Sequence, residues 1–256
     1  MADDRHRPAE VAAWLRTARS VVALTGAGVS TESGIPDFRG PQGLWTRDPR
    51  AERLSNIGYY VADPAIRREA WQRRLEHPAW GAQPNDAHAA LAELDAAGRL
   101  DLLVTQNIDG LHLAAGSSPE RTVEIHGTIR ETACLTCGDR RSMHETLDRV
   151  RAGDPDPACE RCGGILKSAT ISFGQTLDPS LLARAEAAAS ACDLFLAVGT
   201  SLTVYPVARL PELALAAGAR LLILNAEPTP LDDAAHAVLR GAAGAVLRTL
   251  ADAVLV

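Results

Sequence analysis

Five short apolar runs, each followed by small or polar residues, constrain the fold of this chain more than any other feature. Segments with helical periodicity separate the runs, and such alternation is typical of a parallel β-sheet covered by helices. We therefore predict an α/β fold. The predicted strands are Val21–Thr25, Asp101–Thr105, Thr122–Ile125, Asp193–Val198 and Arg220–Leu224.

Helix-start and helix-stop residues mark the segments between the strands. Asn85 follows a proline and is a good N-cap, and Gly98 is a typical helix stop. Pro211 is expected to kink the helix that contains it. The predicted helices are Pro8–Arg19, the segment between Asn85 and Gly98, Pro179–Ala191 and Pro206–Ala217.

Residues 35–80 and 128–170 interrupt the alternation. The first segment holds five prolines and three of the four tryptophans, and the second holds four of the five cysteines. We predict that together they form a smaller domain, in which a helical excursion joins a cysteine module. The large domain then consists of residues 1–34, 81–127 and 171–256.

The four clustered cysteines form two C-x2-C pairs separated by 21 residues. Each pair suits a tight turn that directs two thiolates toward one centre, and two pairs supply the tetrahedral shell that Zn²⁺ prefers. Because four thiolates close the shell, we predict a structural zinc ion. The fifth cysteine, Cys192, is predicted to be a core residue. The predicted zinc ligands are Cys134, Cys137, Cys159 and Cys162.

Composition and charge narrow the class of protein. The formal net charge is −6, which disfavours direct nucleic-acid binding because phosphate backbones call for a basic face. No apolar run approaches the roughly 18 residues of a membrane span, and the N-terminus lacks the order of a secretory signal. We expect a cytoplasmic protein whose cysteines stay reduced.

The turn after the first strand begins like a dinucleotide-binding fingerprint and then departs from it. Gly26-Ala27-Gly28 follows the apolar run as a phosphate-cradling turn should. Thr31 stands where the third glycine of G-x-G-x-x-G belongs, and a proline-containing loop follows. A dehydrogenase is therefore the least favoured nucleotide enzyme.

The other predicted strands also end in residues suited to a ligand, and ligands of parallel sheets bind at the carboxyl ends of the strands. His126 follows the third strand and is a plausible general base. Each cluster taken alone is also consistent with a turn or a structural histidine. The strand-end clusters are TQNIDG (105–110), HG (126–127), GTS (199–201) and NAE (225–227).

These pieces together resemble the sirtuin family, the NAD-dependent protein deacylases. They occur in the family's order over nearly the whole chain. The resemblance implies a Rossmann-type large domain, a small zinc-bearing domain, and a cleft in which NAD and an acyl-lysine protein meet. The matching stretches are GAGVSTESGIPDFRG (26–40), TQNIDGLH (105–112), HG (126–127), the paired cysteines, FG (173–174), GTSL (199–202) and NAE (225–227).

The resemblance also implies a mechanism and a set of site residues. A loop from Ser30 to Trp45 would close over nicotinamide, which leaves as the acyl oxygen attacks the ribose. His126 would be the general base, Asn107 a second catalytic residue, and the products free lysine and O-acyl-ADP-ribose. The protein substrate would bind as an extended strand near Ile171, Phe173 and Gly174. The implied NAD site comprises Gly26, Ala27, Gly28, Asp37, Phe38, Arg39, Trp45, Gln106, Asn107, Ile108, Asp109, Gly199, Thr200, Ser201, Asn225, Ala226, Glu227 and Ala243.

Several residues near the presumed peptide edge depart from the family pattern. Ser168 replaces a usual proline and Gln175 a usual glutamate, so the substrate preference is in doubt while the NAD chemistry is not. Trp71 and Arg74 fall where desuccinylating members carry a tyrosine and an arginine that hold an acidic acyl group. Because only Arg74 matches, we expect deacetylation, with acidic-acyl removal as the alternative. Trp71 as a core residue and Arg74 as a solvated one are also consistent with the sequence.

Two further function classes stay open. Mono-ADP-ribosyl transfer breaks the same bond of NAD but uses a nucleophile of a protein. A sensor that only binds NAD or ADP-ribose would not need a base, so the combination of Asn107, Asp109 and His126 weighs against it. The sequence does not indicate an oligomeric state.

Overall fold

The strands of two separate sheets organise the molecule. The computed structural model describes residues 8–37, 43, 48 and 53–255. In chain order the strands are β1 (Val21–Thr25), β2 (Leu102–Thr105), β3 (Thr122–Glu124), β4 (Gly127–Cys134), β5 (Arg140–Ser142), β6 (Leu166–Thr170), β7 (Leu194–Val198), β8 (Arg220–Leu224) and β9 (Ala237–Leu239).

The larger sheet is parallel and has the order β3-β2-β1-β7-β8-β9. Strand order reverses between β1 and β7, which creates the crevice where parallel α/β sheets bind their ligands. The prediction of an α/β fold is confirmed, and the arrangement is that of a Rossmann-type sheet.

Helices connect and cover these strands. Among the described residues, no helix is long and apolar enough to cross a membrane. In chain order the helices are α1 (Pro8–Thr17), α2 (Ile57–Ala62), α3 (Pro64–Leu75), α4 (Asp86–Ala96), α5 (Leu111–Ala114), α6 (Met143–Arg151), α7 (Pro179–Ala191), α8 (Leu210–Ala216) and α9 (Ala243–Leu255).

Each central strand of the parallel sheet is buried on both faces, which explains why its sequence is continuously apolar. Successive side chains of a strand face opposite sides, so each strand contributes to two hydrophobic clusters. Val21 and Ala23 pack in the cluster with α1, α4 and α9, whereas Val22 and Leu24 pack in the cluster with α7 and α8. The predicted core residue Cys192 belongs to the second cluster, which confirms its assignment.

A three-stranded antiparallel sheet, in the order β5-β4-β6, carries the cysteine pairs. Its core is small and lies against helices α3 and α6 of the small domain. The buried members of that core are Trp71, Cys134, Met143, Leu147, Val150, Cys159 and Leu166. The residues at which one domain passes into the other stay a prediction.

The structure corrects several predicted element bounds. Asp101 and Asp193 lie one residue before their strands, where their carboxylates accept the backbone N–H of Val21 (2.9 Å) and Ser20 (2.8 Å). The kink predicted at Pro211 is wrong, because Pro211 stands in the first turn of α8, where its missing N–H is not needed. The sequence reasoning did not predict β9 or the strands of the small sheet.

Candidate active site

Two glycine-containing turns cross at the point where the strand order reverses. Gly28 N donates to Gly199 O at 2.8 Å, and Gly26 N donates to Val198 O at 3.1 Å. A Cβ atom on either Gly26 or Gly28 would lie 2.8 Å from atoms of the 199–200 turn, which is closer than packed atoms allow. The crossing of the β1 and β7 turns therefore requires glycine, independently of any ligand.

Gln106 joins the ends of three neighbouring strands. Its Nε2 donates to Thr200 Oγ1 at 2.9 Å and to Thr25 O at 3.3 Å. The Gln106 side chain thus spans from the end of β2, past β1, to the turn after β7. Three of the clusters predicted from strand ends meet at one edge of the sheet, as parallel topology requires.

Asn107 and Asp109 form a buried polar network with Ser30. Asn107 Nδ2 donates to Gly26 O at 3.1 Å and to Ser30 Oγ at 3.0 Å, so the Asn107 Oδ1 acceptor is not used by these contacts. Asp109 accepts the Ser30 hydroxyl at 2.8 Å and the N–H of Leu111 at 2.9 Å. Because both side chains are buried and hydrogen-bonded, the network is rigid before any ligand binds.

His126 is held by one ring nitrogen and leaves the other one available. Its Nδ1 lies 3.0 Å from Gln106 O, and since a carbonyl only accepts, Nδ1 carries the proton and Nε2 is the basic nitrogen. Burial lowers the pKa of His126, and the bond to the Gln106 carbonyl opposes part of that lowering. Nε2 therefore stays unprotonated near neutral pH, as a general base requires.

Two buried histidines support this network from below. His88 Nε2 lies 3.4 Å from Ser30 Oγ, and His112 Nε2 lies 2.9 Å from Thr25 Oγ1. Burial, and secondly the charge of His88, lower the pKa of His112 to about 3, so His112 is neutral. His88 is fully buried on α4, and its contact with Ser30 joins that helix to the turn after β1.

Two further segments of the predicted NAD site follow β8 and β9. Asn225, Ala226 and Glu227 come directly after β8, and Ala243 begins α9. The Glu32 carboxylate accepts the N–H of Gly244 at 2.7 Å and so ties the turn after β1 to the first turn of α9. These contacts bring Ala243 to the same edge of the sheet as the glycine crossing.

The four paired cysteines form one cluster. Their Sγ atoms all lie within 4.8 Å of one another, and two of the Sγ–Sγ separations are 3.5 Å (Cys134 to Cys162) and 3.7 Å (Cys137 to Cys159). A tetrahedral zinc ion with Zn–S bonds of about 2.3 Å needs sulfur separations of roughly 3.8 Å. The donor set and its spacing fit a structural zinc ion.

Comparisons with known proteins agree with this geometry. The family model described as Sir2 family matches residues 26–206. The NAD-dependent protein deacetylase 2 of Streptomyces coelicolor is 51% identical over 230 residues, which cover 90% of this chain and 95% of that protein. The chain belongs to the Sir2 family.

Other Sir2 proteins are similar over the same length. The NAD-dependent protein deacetylase 1 of Pyrobaculum aerophilum is 42% identical over 246 residues, covering 95% of this chain and 93% of that protein. A solved structure of Sir2 with a p53 peptide and NAD⁺ has a TM-score of 0.86 and 32% identity, covering 96% of this chain and 98% of that one. The resemblance to sirtuins drawn from the motifs is therefore confirmed.

The predicted peptide edge of this Sir2 protein begins beside His126. Ile171 N donates to His126 O at 2.7 Å, which places β6 and its continuation next to the base. Phe173 is 41% exposed, and its N–H and C=O bond to Ser55 O (2.9 Å) and Ile57 N (3.0 Å). Because both polar groups of Phe173 are occupied, an incoming strand has to pair with other residues of this edge, such as Gly174.

Trp71 and Arg74 differ in their surroundings. Trp71 is fully buried in the small-domain core, so its assignment to the substrate site is replaced by a packing role. Arg74 stacks on Trp71, with 4.8 Å between the guanidinium carbon and the ring centroid, and its Nη2 donates to Ser168 Oγ at 3.2 Å. Arg74 Nη1 is buried and has no hydrogen-bond partner.

Lys167 lies near Arg74 and was not predicted as a site residue. It is the only lysine among the 256 residues, and it is 2% exposed. Its Nζ donates to Ser168 O at 3.1 Å and to Thr170 O at 2.5 Å. Burial, and secondly the charge of Arg74, lower the pKa of Lys167 to about 7.

Part of the predicted NAD site belongs to the loop that begins at Ser30. Phe38, Arg39 and Trp45 lie outside the described residues, and Asp37 is half-buried at the end of the described stretch. Ser30 begins the loop predicted to close over nicotinamide, and the structure shows a further role, because Ser30 contacts Asn107, Asp109 and His88. Its position two residues after the second glycine was the available signal.

Proposed function

We propose that this Sir2 protein removes acetyl groups from protein lysines and consumes NAD, with nicotinamide and O-acetyl-ADP-ribose as the other products. The observation that carries the proposal is the free, unprotonated Nε2 of His126 at the sheet edge that holds Gln106, Asn107 and Asp109. The names of the relatives, which are NAD-dependent protein deacetylases, support the same reaction class.

The chain's own groups suit the separate demands of this reaction. Asn107 Oδ1 is available to hold the ribose or the carboxamide of NAD, and the glycine crossing at Gly26 and Gly28 gives a backbone free of side chains at the strand ends. His126 Nε2 takes the proton from a ribose hydroxyl, so that the oxygen attacks the acyl carbon. Zinc, when bound to the cysteine cluster, holds the small domain together and takes no part in the chemistry.

The test mixes the protein with NAD and an acetyl-lysine peptide and follows nicotinamide, free peptide and O-acetyl-ADP-ribose by mass spectrometry. We expect the three products to appear in step. His126→Ala should lower kcat by about 10²–10⁴-fold, whereas His144→Ala, which removes an exposed histidine of α6, should leave kcat unchanged. Consumption of NAD with ADP-ribose attached to protein would instead support mono-ADP-ribosyl transfer.

The pH dependence of kcat gives a second check on the same base. Because burial lowers the pKa of His126, the protonated and inactive form accumulates only below the ordinary histidine pKa of about 6.5. We expect the acid limb of kcat to lie below that pH. An acid limb at or above it would contradict the role of His126 as the base.

Removal of an acidic acyl group is the second candidate function, and the basic cluster of Arg74 and Lys167 favours it. Among the described residues no carboxylate forms an ion pair with either side chain. The buried Lys167 and the partly buried Arg74, whose Nη1 has no partner, form an environment that an acyl carboxylate would stabilise. Against it stands Trp71, which is packed in the core and contributes no hydroxyl.

Acetyl- and succinyl-lysine in the same peptide distinguish the two candidates. If Arg74 binds an acyl carboxylate, Arg74→Met should lower kcat/KM for succinyl-peptide by about tenfold or more and change the acetyl rate little. Arg73→Met is the matched control, because Arg73 is the next residue and pairs with Asp48 and Glu69. Equal effects of Arg74→Met on both acyl groups would exclude the acidic-acyl function.

The mode of peptide binding and the cellular location belong to the same proposal. The protein substrate would add an extended strand beside residues 171–174, where main-chain pairing tolerates varied sequences. No disulfide joins the described cysteines, which suits the reducing cytoplasm that we propose as the location. Fractionation of cells and a screen of peptides with varied flanking residues test these two statements.

A further inference from the structure

Arg240 comes directly after β9 and holds the loop that follows β8. Its Nη1 donates to Asn225 O at 3.1 Å and to Glu227 O at 3.0 Å. Its Nη2 forms an ion pair with Asp232. One guanidinium thus contacts the beginning, the middle and the far side of a single loop, residues 225–232.

The loop is closed on itself around the same carbonyl group. Asn225 Nδ2 also donates to Glu227 O, at 2.8 Å, so this oxygen accepts two hydrogen bonds. Asp232 is fixed in turn by Thr229, whose hydroxyl donates to Asp232 Oδ1 at 2.7 Å. The groups that these contacts leave unused are Asn225 Oδ1 and the carboxylate of Glu227.

Arginine suits this position better than any other cation. Its planar fork makes several hydrogen bonds in fixed directions, whereas an ammonium group is a single flexible point charge. The Arg240 side chain is 23% exposed and that of Asp232 is 18% exposed, so water weakens the pair less than it would at the surface. Desolvation raises the pKa of Asp232, but the bonds from Thr229 and the charge of Arg240 outweigh it and lower that pKa.

We call the contacts of Arg240 with Asn225, Glu227 and Asp232 the clamp. The clamp also joins two segments of the NAD site predicted from the sequence. Asn225 and Glu227 lie at one end of its contacts, and Ala243 lies three residues after Arg240, at the start of α9. Gly241, between them, has a φ of +143°, so the chain turns sharply as it enters the helix. A change in the Arg240 contacts would therefore move both segments relative to each other.

We propose that Arg240 is a positioning residue for the adenosine ribose of the nucleotide substrate. It holds the 225–227 backbone so that Asn225 Oδ1 and the Glu227 carboxylate remain free to accept the ribose hydroxyls. The inference rests on the proposed function for the identity of the ligand, since NAD and ADP-ribose share this ribose. Arg240 itself touches neither the ligand nor the reacting atoms.

Calorimetric titration of ADP-ribose, which requires no turnover, tests the inference. Arg240→Gln should raise the Kd by roughly tenfold, because the loop loses charge-assisted hydrogen bonds to its carbonyl groups and then samples other conformations. Arg240→Lys should fall between wild type and Arg240→Gln. Arg248→Gln is the matched control, because Arg248 lies on α9 and pairs with Glu93 and Asp252; its Kd should stay within about twofold of wild type.

Steady-state kinetics separate positioning from simple loss of stability. If Arg240 positions the ribose, Arg240→Gln raises KM for NAD and leaves kcat at saturating NAD near the wild-type value. Asp232→Asn, which keeps the carbonyl contacts of Arg240, should raise the Kd less than Arg240→Gln. A lowered Tm with an unchanged Kd for ADP-ribose in both variants would overturn the inference.

The outcomes distinguish this inference from the proposed function. A wild-type protein that binds ADP-ribose but leaves acetyl-peptide unchanged would refute the deacetylase proposal, and the affinity series of the Arg240 variants would still decide the role of the clamp. An active wild-type enzyme whose Arg240→Gln variant keeps the wild-type Kd and KM would refute the clamp alone.

Discussion

The sheet edge at the ends of β1 and β2, which we call the cofactor edge, differs from the basic cluster of Arg74 and Lys167 in how its buried polar groups are partnered. At the cofactor edge, Ser30, Asn107 and Asp109 are partnered by one another and by the backbone at 2.8–3.1 Å. In the basic cluster, Arg74 keeps a buried nitrogen without a partner, and Lys167 meets only backbone carbonyls. Ser30, Asn107 and Asp109 thus hold one another in place, whereas no carboxylate among the described residues pairs with Arg74 or Lys167.

The hydrophobic cores of the two domains differ in the same direction. Two clusters, one on each face of the parallel sheet, hold the large domain together. The small-domain cluster has seven buried members, and two of them, Cys134 and Cys159, are predicted zinc ligands. The large domain is therefore stabilised by packing on both faces of its sheet, and we expect the small domain to depend in addition on a bound zinc ion.

The largest expected effect is that of removing a zinc ligand, which should unfold the small domain and leave the large domain folded. Cys137→Ser is expected to abolish zinc binding and to open the β4–β6 sheet, because structural zinc contributes about 10 kcal/mol or more to the folding of small modules. Hydrogen exchange should then be fast throughout residues 127–170 and stay slow in β1, β2 and β7.

Cys192→Ala is the matched control for this experiment, since Cys192 lies in the large-domain core and not in the cluster. It should retain one zinc ion per chain and normal protection of the small sheet. Equal protection of residues 127–170 in Cys137→Ser and wild type would show that packing alone is sufficient there.

The same difference explains what could be predicted from the sequence. The strands of the large domain are buried on both faces, so Leu194–Val198 or Val21–Thr25 appear as uninterrupted apolar runs. The strands of the small sheet are partly exposed, and β5, Arg140–Ser142, is entirely polar, so neither periodicity nor propensity indicates it. The paired cysteines were nevertheless visible, because metal ligation depends on spacing and not on hydrophobicity.

Within the site, the residues named by motif could be predicted, but the contacts between them could not. Gly199 belongs to the predicted NAD site, and only the structure shows that it packs against the backbone of Gly28 and Val29. Arg240 and Lys167 belong to no motif, and their roles arise from which strand ends meet in space. Trp71 shows the reverse case, in which alignment with a motif suggested a ligand contact at a fully buried position.

In the large domain, the buried His112 should make the unfolding free energy depend on pH in the acid range. His112 has a pKa of about 3 in the folded protein and about 6.5 in an unfolded chain, so the unfolded state binds more protons between these values. Stability is complete above about pH 6.5 and falls by roughly 4–5 kcal/mol as the pH drops to about 3. Urea unfolding at a series of pH values should show this slope, and His112→Gln should flatten it; an unchanged slope would assign it to other groups.

In the small domain, the buried Lys167 should make the unfolding free energy depend on pH in the alkaline range. The pKa of Lys167 is about 7 in the folded protein against 10.5 ordinarily, so its cost is present in full below pH 7. Stability should rise by at most roughly 4–5 kcal/mol between about pH 7 and 10.5. Because Lys167 is the only lysine, no other ammonium side chain contributes. Lys167→Met should remove the rise, and a rise that persists in this variant would contradict the lowered pKa of Lys167 as its cause.

The smallest expected effect concerns two helix caps, one in each domain. Asp63 caps α3 by accepting Ala65 N at 2.8 Å, and Asn85 caps α4 by accepting Ala87 N at 2.9 Å. Asp63→Ala and Asn85→Ala should each lower the unfolding free energy by about 1 kcal/mol.

Asn85 Nδ2 also donates to Val29 O and Ser33 Oγ, both at 2.9 Å, beside the glycine crossing. Asn85→Asp keeps the cap acceptor but sets an oxygen against the Val29 carbonyl, so it should weaken ADP-ribose binding and also lower the unfolding free energy. Asp63→Ala should leave ADP-ribose binding unchanged. If Asn85→Asp binds ADP-ribose as tightly as wild type, the turn after β1 is held by its backbone contacts alone, and the large-domain edge is more rigid than the Asn85 contacts imply.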